Sequence, residues 1–245
     1  MKVVLNPQYQ QFSAFVESIH FQFEKGGDTI YKQRNEIRVF DVNGFLINVK
    51  RFKVPHLLNR IVYTFFRSSK AQRSYQYATK LIKMGIETPM PLAFILTKQN
   101  GLIHFSYFIS CQADCNRNMY EFGKGGIEGR EHILQSFAAF TSELHEKGVY
   151  HKDYSPGNIL FKEVKGEVRF SIVDINRMRF GAVSISRGCA NFARLWGQRS
   201  FFECIIRRYA EIRQADPDRC LSIALRERHK FWKNYARKRQ LPFDL

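Results

Sequence analysis

Apolar residues recur at intervals of three and four near the start of the chain. Phe12, Phe15, Val16 and Ile19 fall on one side of a helix, which predicts an amphipathic helix over residues 7–19. From residue 21 the period drops to two. Phe21 and Phe23, Ile30 and Tyr31, Ile37, Val39 and Phe40, and then Phe45 to Phe52 read as three strands with turns up to residue 53. Asn43-Gly44 marks a tight hairpin, because both central positions of a type I′ turn need positive φ. The segment from Phe45 to Phe52 should therefore pair antiparallel with the strand before it. Helical spacing returns over residues 69–84, with Ala71, Tyr75, Ala78, Leu81 and Ile82 on one side and Gly85 just past the end. Pro89 and Pro91 impose an extended link, and Asn100-Gly101 closes a second hairpin between Phe94-Ile95-Leu96 and residues 102–109.

Beyond Cys111 a polar, turn-prone stretch (112–129) leads to a long helix from Glu131 to Lys147, which Gly148 ends in the left-handed conformation. Two short strands, 159–163 and 168–173, flank a Lys165-Gly166 turn, and the remainder reads as mostly helical. A strand-rich half thus gives way to a helix-rich half near residues 110–114. No internal repeat or low-complexity linker interrupts this order. No run approaches the ~18 apolar residues of a membrane span. The three apolar residues before Asn6-Pro7 are too few for a signal-peptide core, so a cytosolic protein is expected. Five cysteines form an odd set of reduced thiols. Cys111 and Cys115 lack a second Cys/His pair at zinc spacing and are expected to serve packing alone.

The charge narrows the choice of partners. Lys and Arg number 39 against 22 Asp and Glu, a net charge of +17 in a chain that is 44% hydrophobic and 15% aromatic. So many cations must be segregated onto surfaces that meet something anionic: nucleic acid, a membrane face or a phosphorylated substrate. No nucleic-acid recognition motif is present, and nucleic acid is not expected as a partner. From Leu221 to Arg239 the chain alternates Arg226, Arg228, Lys230, Lys233, Arg237, Lys238 and Arg239 with Leu221, Ala224, Leu225, Phe231, Trp232 and Tyr235. This basic amphipathic helix has two readings, one in the interface of an anionic membrane and one packed on its own domain with a solvated basic face.

Candidate chemistry concentrates in Val149-Tyr150-His151-Lys152-Asp153-Tyr154-Ser155-Pro156-Gly157-Asn158, followed by Ile172-Val173-Asp174 at the end of an apolar strand. Phosphoryl transfer needs one carboxylate to orient or deprotonate the acceptor hydroxyl. It also needs hard oxygen ligands for the ions on the nucleotide phosphates. Asp153 suits the first task, and Asn158 and Asp174 suit the second. A lone Asp beside a turn is ordinarily structural. The full set, preceded by a long helix and by Lys50 upstream, is what points to catalysis.

These residues resemble the protein-kinase-like superfamily, whose motif is His-Arg-Asp-Leu-x-x-x-x-Asn followed by Asp-Phe-Gly, and the likeness runs over almost the whole chain. Within it the chain is most similar to the bacterial lipopolysaccharide core kinases, which phosphorylate 3-deoxy-D-manno-octulosonic acid or heptose. The residues that carry this are Val49-Lys50-Arg51-Phe52-Lys53, Gly85-Ile86-Glu87-Thr88-Pro89-Met90-Pro91, and Asp174-Ile175-Asn176-Arg177-Met178-Arg179-Phe180 in place of Asp-Phe-Gly. The resemblance implies an α+β, bilobal kinase-like fold in a single kinase domain. A small antiparallel N-lobe with one main helix (1–110) holds the nucleotide phosphates. A larger, mainly helical C-lobe (111–245) carries the catalytic loop, the metal site and the acceptor surface. It implies ATP and Mg²⁺ as cofactors, Asp153 as catalytic base, and Asn158 and Asp174 as metal ligands. Lys50 would lie on the α and β phosphates, with Lys53 as its rival, and His151 would brace the loop. The acceptor it implies is a lipid A-linked sugar at the inner face of the bacterial inner membrane, met by a peripheral, cytoplasmic enzyme with no obligate protein partner.

Several departures from the family pattern stand out. Kinases pair the strand lysine with a Glu on the next helix, but here the inward candidates are Gln72 and Gln76. Gly26-Gly27, at the first turn, is the only candidate for a phosphate-binding glycine loop, and Ala-Pro-Glu is missing. A pseudokinase scaffold and a soluble kinase of the aminoglycoside or choline type therefore remain as alternatives. Lys124-Gly125-Gly126 lacks the following Ser/Thr of a phosphate loop and reads as a plain loop. His20, His56, His104, His132, His145 and His229 have no partners at metal or triad spacing and are expected at the surface or at caps.

Overall fold

Both early hairpins form as the dipeptides at their tips dictate. Asn43 and Gly44 have φ of 56° and 82°, and Asn100 and Gly101 have 54° and 77°, the positive pairs a type I′ turn requires. The computed structural model describes residues 1–123, 126–237 and 241. The chain divides into two compact units, Met1–Ala113 and Asp114–Leu245.

The first unit runs β1 (Lys2–Leu5), 3-10 turns over Pro7–Phe12, α1 (Ser13–Gln22), β2 (Asp28–Lys32), β3 (Glu36–Val42), β4 (Phe45–Phe52), α2 (Leu57–Phe65), α3 (Lys70–Lys83), β5 (Pro91–Gln99) and β6 (Leu102–Cys111). Its sheet has the order β1-β5-β6-β4-β3-β2, antiparallel throughout. Alternation along β4 sends Ile47 and Val49 into a cluster with Phe12, Val16, Ile19 and Phe23. It sends Phe52 to the other face, where Ala71 of α3 and Phe94 wait. Both faces are thereby covered, and each fully buried aliphatic or aromatic side chain contributes about 1.5–3 kcal/mol.

Three elements differ from the sequence expectation. Phe21 and Phe23 do not open a strand: α1 runs to Gln22, and buried Phe23 extends the helical stripe Phe12, Val16, Ile19. β1 is a short edge that only pairing with β5 reveals. The first unit holds three helices rather than one main helix, and α2 is an additional helix with no buried residue.

An ionic cluster fastens α1 to the sheet. Buried Glu36 accepts from Arg38 Nε and Nη2 (2.9 and 2.7 Å) and from Arg51 Nη2 (2.7 Å), and Glu24, just past α1, bonds to Arg51. The two guanidinium groups lie 5.0 and 4.4 Å from the Phe23 ring centroid. Burial pushes the Glu36 carboxyl up, but the hydrogen bonds and charges of Arg38 and Arg51 outweigh it and hold the group below its ordinary value.

The second unit contains β7 (Arg117–Asn118), α4 (Glu131–Glu146), β8 (Val149–His151), β9 (Ile159–Val164), β10 (Glu167–Ile172), β11 (Met178–Phe180), α5 (Ile185–Asn191), α6 (Arg199–Ile212) and α7 (Pro217–Ala236). Two small sheets, β10-β9-β7 and β11-β8, lie among the helices. Gly148 ends α4 at φ 69°, as its position after Lys147 requires. The core is aromatic, built on buried Phe137, Tyr154, Phe161, Phe170, Phe192 and Tyr209.

The apolar side of α7 is spent on this core. Cys220, Leu221, Ala224 and Trp232 are buried, Trp232 to 4% exposure, while Arg226, His229, Lys230 and Lys233 face solvent. The packed reading of this helix therefore holds for its described part; Lys238 and Arg239 lie outside the described residues, as do Lys124 and Gly125. Among the described residues no helix is long and apolar enough to cross a membrane. No disulfide forms among the five cysteines.

Replacing Glu36 by Ala leaves two half-buried guanidinium groups without their shared carboxylate. Equilibrium urea unfolding is expected to show a loss of about 3–5 kcal/mol. A loss below about 1 kcal/mol would mean that water already screens the cluster.

Candidate active site

Asp153 lies between two side chains that point inward. Tyr154 is fully buried against Phe137 and Phe192, with its hydroxyl 2.9 Å from Thr141 Oγ1. His151 is also buried. The Asp153 N–H donates to His151 Nδ1 at 3.0 Å, so that nitrogen is an acceptor and the proton sits on Nε2, which donates to the Val173 carbonyl at 3.0 Å. Burial holds His151 neutral by pushing its pKa down. His151 is therefore a brace between the loop that carries Asp153 and the strand end that carries Asp174.

The other two candidate ligands are positioned by the same hairpin. Ile159 pairs with Ile172, and the Val173 N–H donates to the Asn158 carbonyl at 3.0 Å, so Asn158 and Asp174 leave adjacent strand ends. Asn158 donates its amide to the Asp153 carbonyl at 2.8 Å, which turns its oxygen to the other side. Asp174 adopts the left-handed conformation (φ 54°, ψ 42°) and accepts from Asn176 Nδ2 at 2.6 Å. Such backbone strain in a non-glycine residue concentrates at functional sites. An amide oxygen and a carboxylate suit a hard cation such as Mg²⁺, which takes one or two protein oxygens and completes its shell from water and phosphate. Among the described residues no three His, Cys, Asp or Glu side chains form a metal-holding group.

A cleft of about 450 Å³ adjoins Asp153 through two of its wall residues, Lys152, the neighbour of Asp153 in the chain, and Arg194, which bonds to it. Lys152, Arg179, Arg187, Arg194 and Lys230 line it against one carboxylate, Glu227. Arg194 Nη1 donates to Asp153 Oδ1 at 2.7 Å, and Arg177 comes within 3.6 Å of Oδ2. Arg187 lies over Tyr150 and Arg194 over Phe231 (4.4 and 4.7 Å to the centroids), which holds both guanidinium groups at the cleft wall. Sequence reading missed Arg187, Arg194 and Asn191. They come from α5 and the turn after it, and no local motif ties them to the loop.

In the first unit, Lys50 and Phe52 share the β4 face toward α3, with Lys50 Nζ 5.3 Å from the Phe52 ring centroid. Lys53 lies past the end of β4, exposed, and its alternation puts it on the other side. The glutamines depart from expectation. Gln76 is exposed, and Gln72 is half-buried at a separate cleft, because Ala71, Ser74, Ala78 and Leu81 form the inward side of α3. Gly26-Gly27 is also displaced from its expected role. The turn between β2 and β3 is Gln33-Arg34-Asn35, and the glycines lie at the opposite end of β2, after α1. A Cβ on Gly27, at φ 75°, would meet the Phe40 ring at 2.7 Å, so close packing accounts for that residue.

His145 corrects the surface reading of the remaining histidines. It is buried, with Nδ1 2.8 Å from the Tyr209 hydroxyl and Nε2 3.1 Å from Asn191 Oδ1. Asn191 Nδ2 donates to the His151 carbonyl at 3.0 Å, so its oxygen accepts from His145 Nε2 and the Tyr209 hydroxyl donates to Nδ1. The His151 brace is thus tied through Asn191 and His145 to α4 and α6.

A solved structure, WaaP in complex with acyl carrier protein, matches this fold with a TM-score of 0.63 at 17% identity, covering 94% of this chain and 99% of that chain. The fold is that of the α+β, bilobal kinases. The model of the lipopolysaccharide kinase (Kdo/WaaP) family matches residues 40–216, and the chain belongs to that family of enzymes. No curated protein sequence matches it.

Burial pushes the His145 imidazole down to about 4, against the hydrogen bond to Asn191 and with the Arg213 charge assisting. The unfolded chain protonates the same group below about 6.5, so it binds more protons than the native state across the window between. Stability should be complete above that window and fall by roughly 3 kcal/mol as pH drops through it. Unfolding midpoints measured from about pH 7 to about pH 4 are expected to show this decline, and His145→Gln should flatten it. Equal slopes in the two proteins would exclude His145 as the titrating group.

Proposed function

We propose that the protein transfers the γ-phosphoryl group of ATP to a hydroxyl of an inner-core lipopolysaccharide sugar, 3-deoxy-D-manno-octulosonic acid or heptose, at the cytoplasmic face of the bacterial inner membrane. The observation that carries this reading is the cleft beside Asp153, with five cationic side chains and one carboxylate. Such a wall suits an acceptor bearing carboxylates and phosphates, as lipid A-linked sugars do. It opposes the aminoglycoside and choline alternative, whose cationic substrates need an acidic wall.

In this reading the acceptor anions engage Arg187, Arg194 and Lys230 and place the hydroxyl against Asp153. Arg194 and Arg177 hold the Asp153 side chain by ion pairs, which suits it to orient the hydroxyl and take its proton late in transfer. Lys50 is assigned to the nucleotide phosphates, and Asn158 with Asp174 to Mg²⁺. The ion, when bound, supplies neutralisation of the charge on the β- and γ-phosphates. This chemistry requires no protein partner. The WaaP structure contains acyl carrier protein, which makes that carrier the first partner to test by co-purification.

Asp153→Asn keeps the hydrogen-bonding shape and removes the carboxylate charge. Transfer to purified lipid A-linked acceptor should fall by at least about a hundredfold while ATP still protects against thermal unfolding. Retained turnover would refute the assignment. Arg187→Ala and Lys230→Ala should each raise the acceptor KM about tenfold or more, leaving the ATP KM within about twofold. A matching rise in the ATP KM would instead place these residues on the nucleotide side.

A further inference from the structure

α2 is built the wrong way round for a helix of a soluble domain. Leu57, Leu58, Ile61, Val62 and Phe65, with Phe66 at its end, form a continuous apolar stripe, and this stripe faces solvent: Leu58 is 78% exposed and Phe66 81%. Polar contacts hold the other side down. Arg60 donates from Nε to the Ile103 carbonyl (2.8 Å) and from Nη2 to the Gln99 carbonyl (2.9 Å), and Thr64 Oγ1 accepts from the Ile103 N–H (2.9 Å). The helix is thus fixed to the β5–β6 hairpin with its apolar side outward. Contiguous patches of this kind mark interaction sites.

The charge around the stripe identifies what covers it. Residues 42–86 contain nine Lys and Arg and no Asp or Glu. A cleft of about 500 Å³ beside the C-terminal end of α2 joins Phe65 and Phe66 to Lys2, Arg67 and Lys98, again with no carboxylate in its wall. Lys53 and Arg67, just before and after the helix, are exposed. Exposed apolar side chains on one helix with cations at its ends and flank match the boundary between acyl chains and anionic headgroups. A helix lying there sinks about 5–10 Å.

We propose that α2 is the membrane-docking element of this protein, inserting its stripe into an anionic bilayer while Lys2, Lys53, Arg67 and Lys98 engage lipid phosphates. It assigns the membrane contact to the N-lobe, in place of the C-terminal helix whose apolar face is already buried. The proposal rests on the reading of a membrane-anchored acceptor only for its purpose; the docking itself follows from the stripe and its charges.

The test is co-sedimentation of the full chain with phosphatidylcholine vesicles and with vesicles that also contain phosphatidylglycerol. The wild type should bind the anionic vesicles and leave the neutral ones nearly bare. The double variant Leu58→Glu/Phe66→Glu changes two largely exposed positions and should lose at least about tenfold in affinity, with its thermal unfolding unchanged. Lys53→Gln/Arg67→Gln should weaken binding to anionic vesicles selectively. Equal vesicle binding by the wild type and the Leu58/Phe66 variant would overturn the proposal, as would no binding by the wild type. A dimer or a complex with an acidic protein that this variant abolishes, with vesicle binding intact, would assign the face to that partner and overturn it equally. Phosphorylation of a water-soluble acceptor fragment should be the same in wild type and variant. Vesicle binding without any phosphoryl transfer would uphold docking and overturn the kinase reading.

Discussion

Two hydrogen bonds on one buried imidazole hold the C-lobe site together. His151 accepts from the backbone of Asp153 and donates to the carbonyl of Val173, so the loop and the strand end that flank the site cannot move apart without leaving polar groups unpaired in the core. Tyr154 adds the apolar half of this anchor. With residues 151 and 154 turned inward, Asp153 reaches the surface at a fixed place, and Asn158 completes the loop by donating back to it. A buried polar group that satisfies both nitrogens specifies one geometry, whereas an apolar residue in its place would pack with many.

The basic character of the chain acquires meaning only by location. One set of cations, Lys152, Arg179, Arg187, Arg194 and Lys230, lines a cleft, and Arg194 among them bonds to the catalytic candidate Asp153. Another, Arg38 and Arg51, is neutralised by Glu36 and Glu24 and serves packing. Net charge counts both kinds alike. Exposure and pairing separate a guanidinium group that binds something outside from one that is already satisfied.

Much of the fold was legible because its signals are local. Asn43-Gly44, Asn100-Gly101 and Gly148 each demand a backbone conformation that few other residues adopt, and each turn or cap formed where it was expected. The spacing from His151 to Asn158 was equally local, and the strand pair that joins Asn158 to Asp174 followed from the Lys165-Gly166 turn. Arg194, Asn191 and His145 were not legible, because the contacts that define them span 41, 40 and 64 residues. The placement of Gly26-Gly27 failed for a related reason. A glycine pair signals a tight backbone, and only the course of α1 up to Gln22 and the position of Phe40 show which turn it serves.

Amphipathicity raises the same difficulty in its clearest form. α2 and α7 both carry an apolar stripe beside basic residues, and sequence alone left α7 with two readings, one in a membrane interface and one packed on its own domain. In the fold, Trp232, Leu221 and Ala224 of α7 meet the C-lobe core, while Leu58 and Phe66 of α2 stay about four-fifths exposed. A stripe states that one side of a helix avoids water, but it does not state what replaces the water. The backbone decides that. Arg60 and Thr64 commit the polar side of α2 to the β5–β6 hairpin, and once that side is taken, the apolar side has only the exterior left to face.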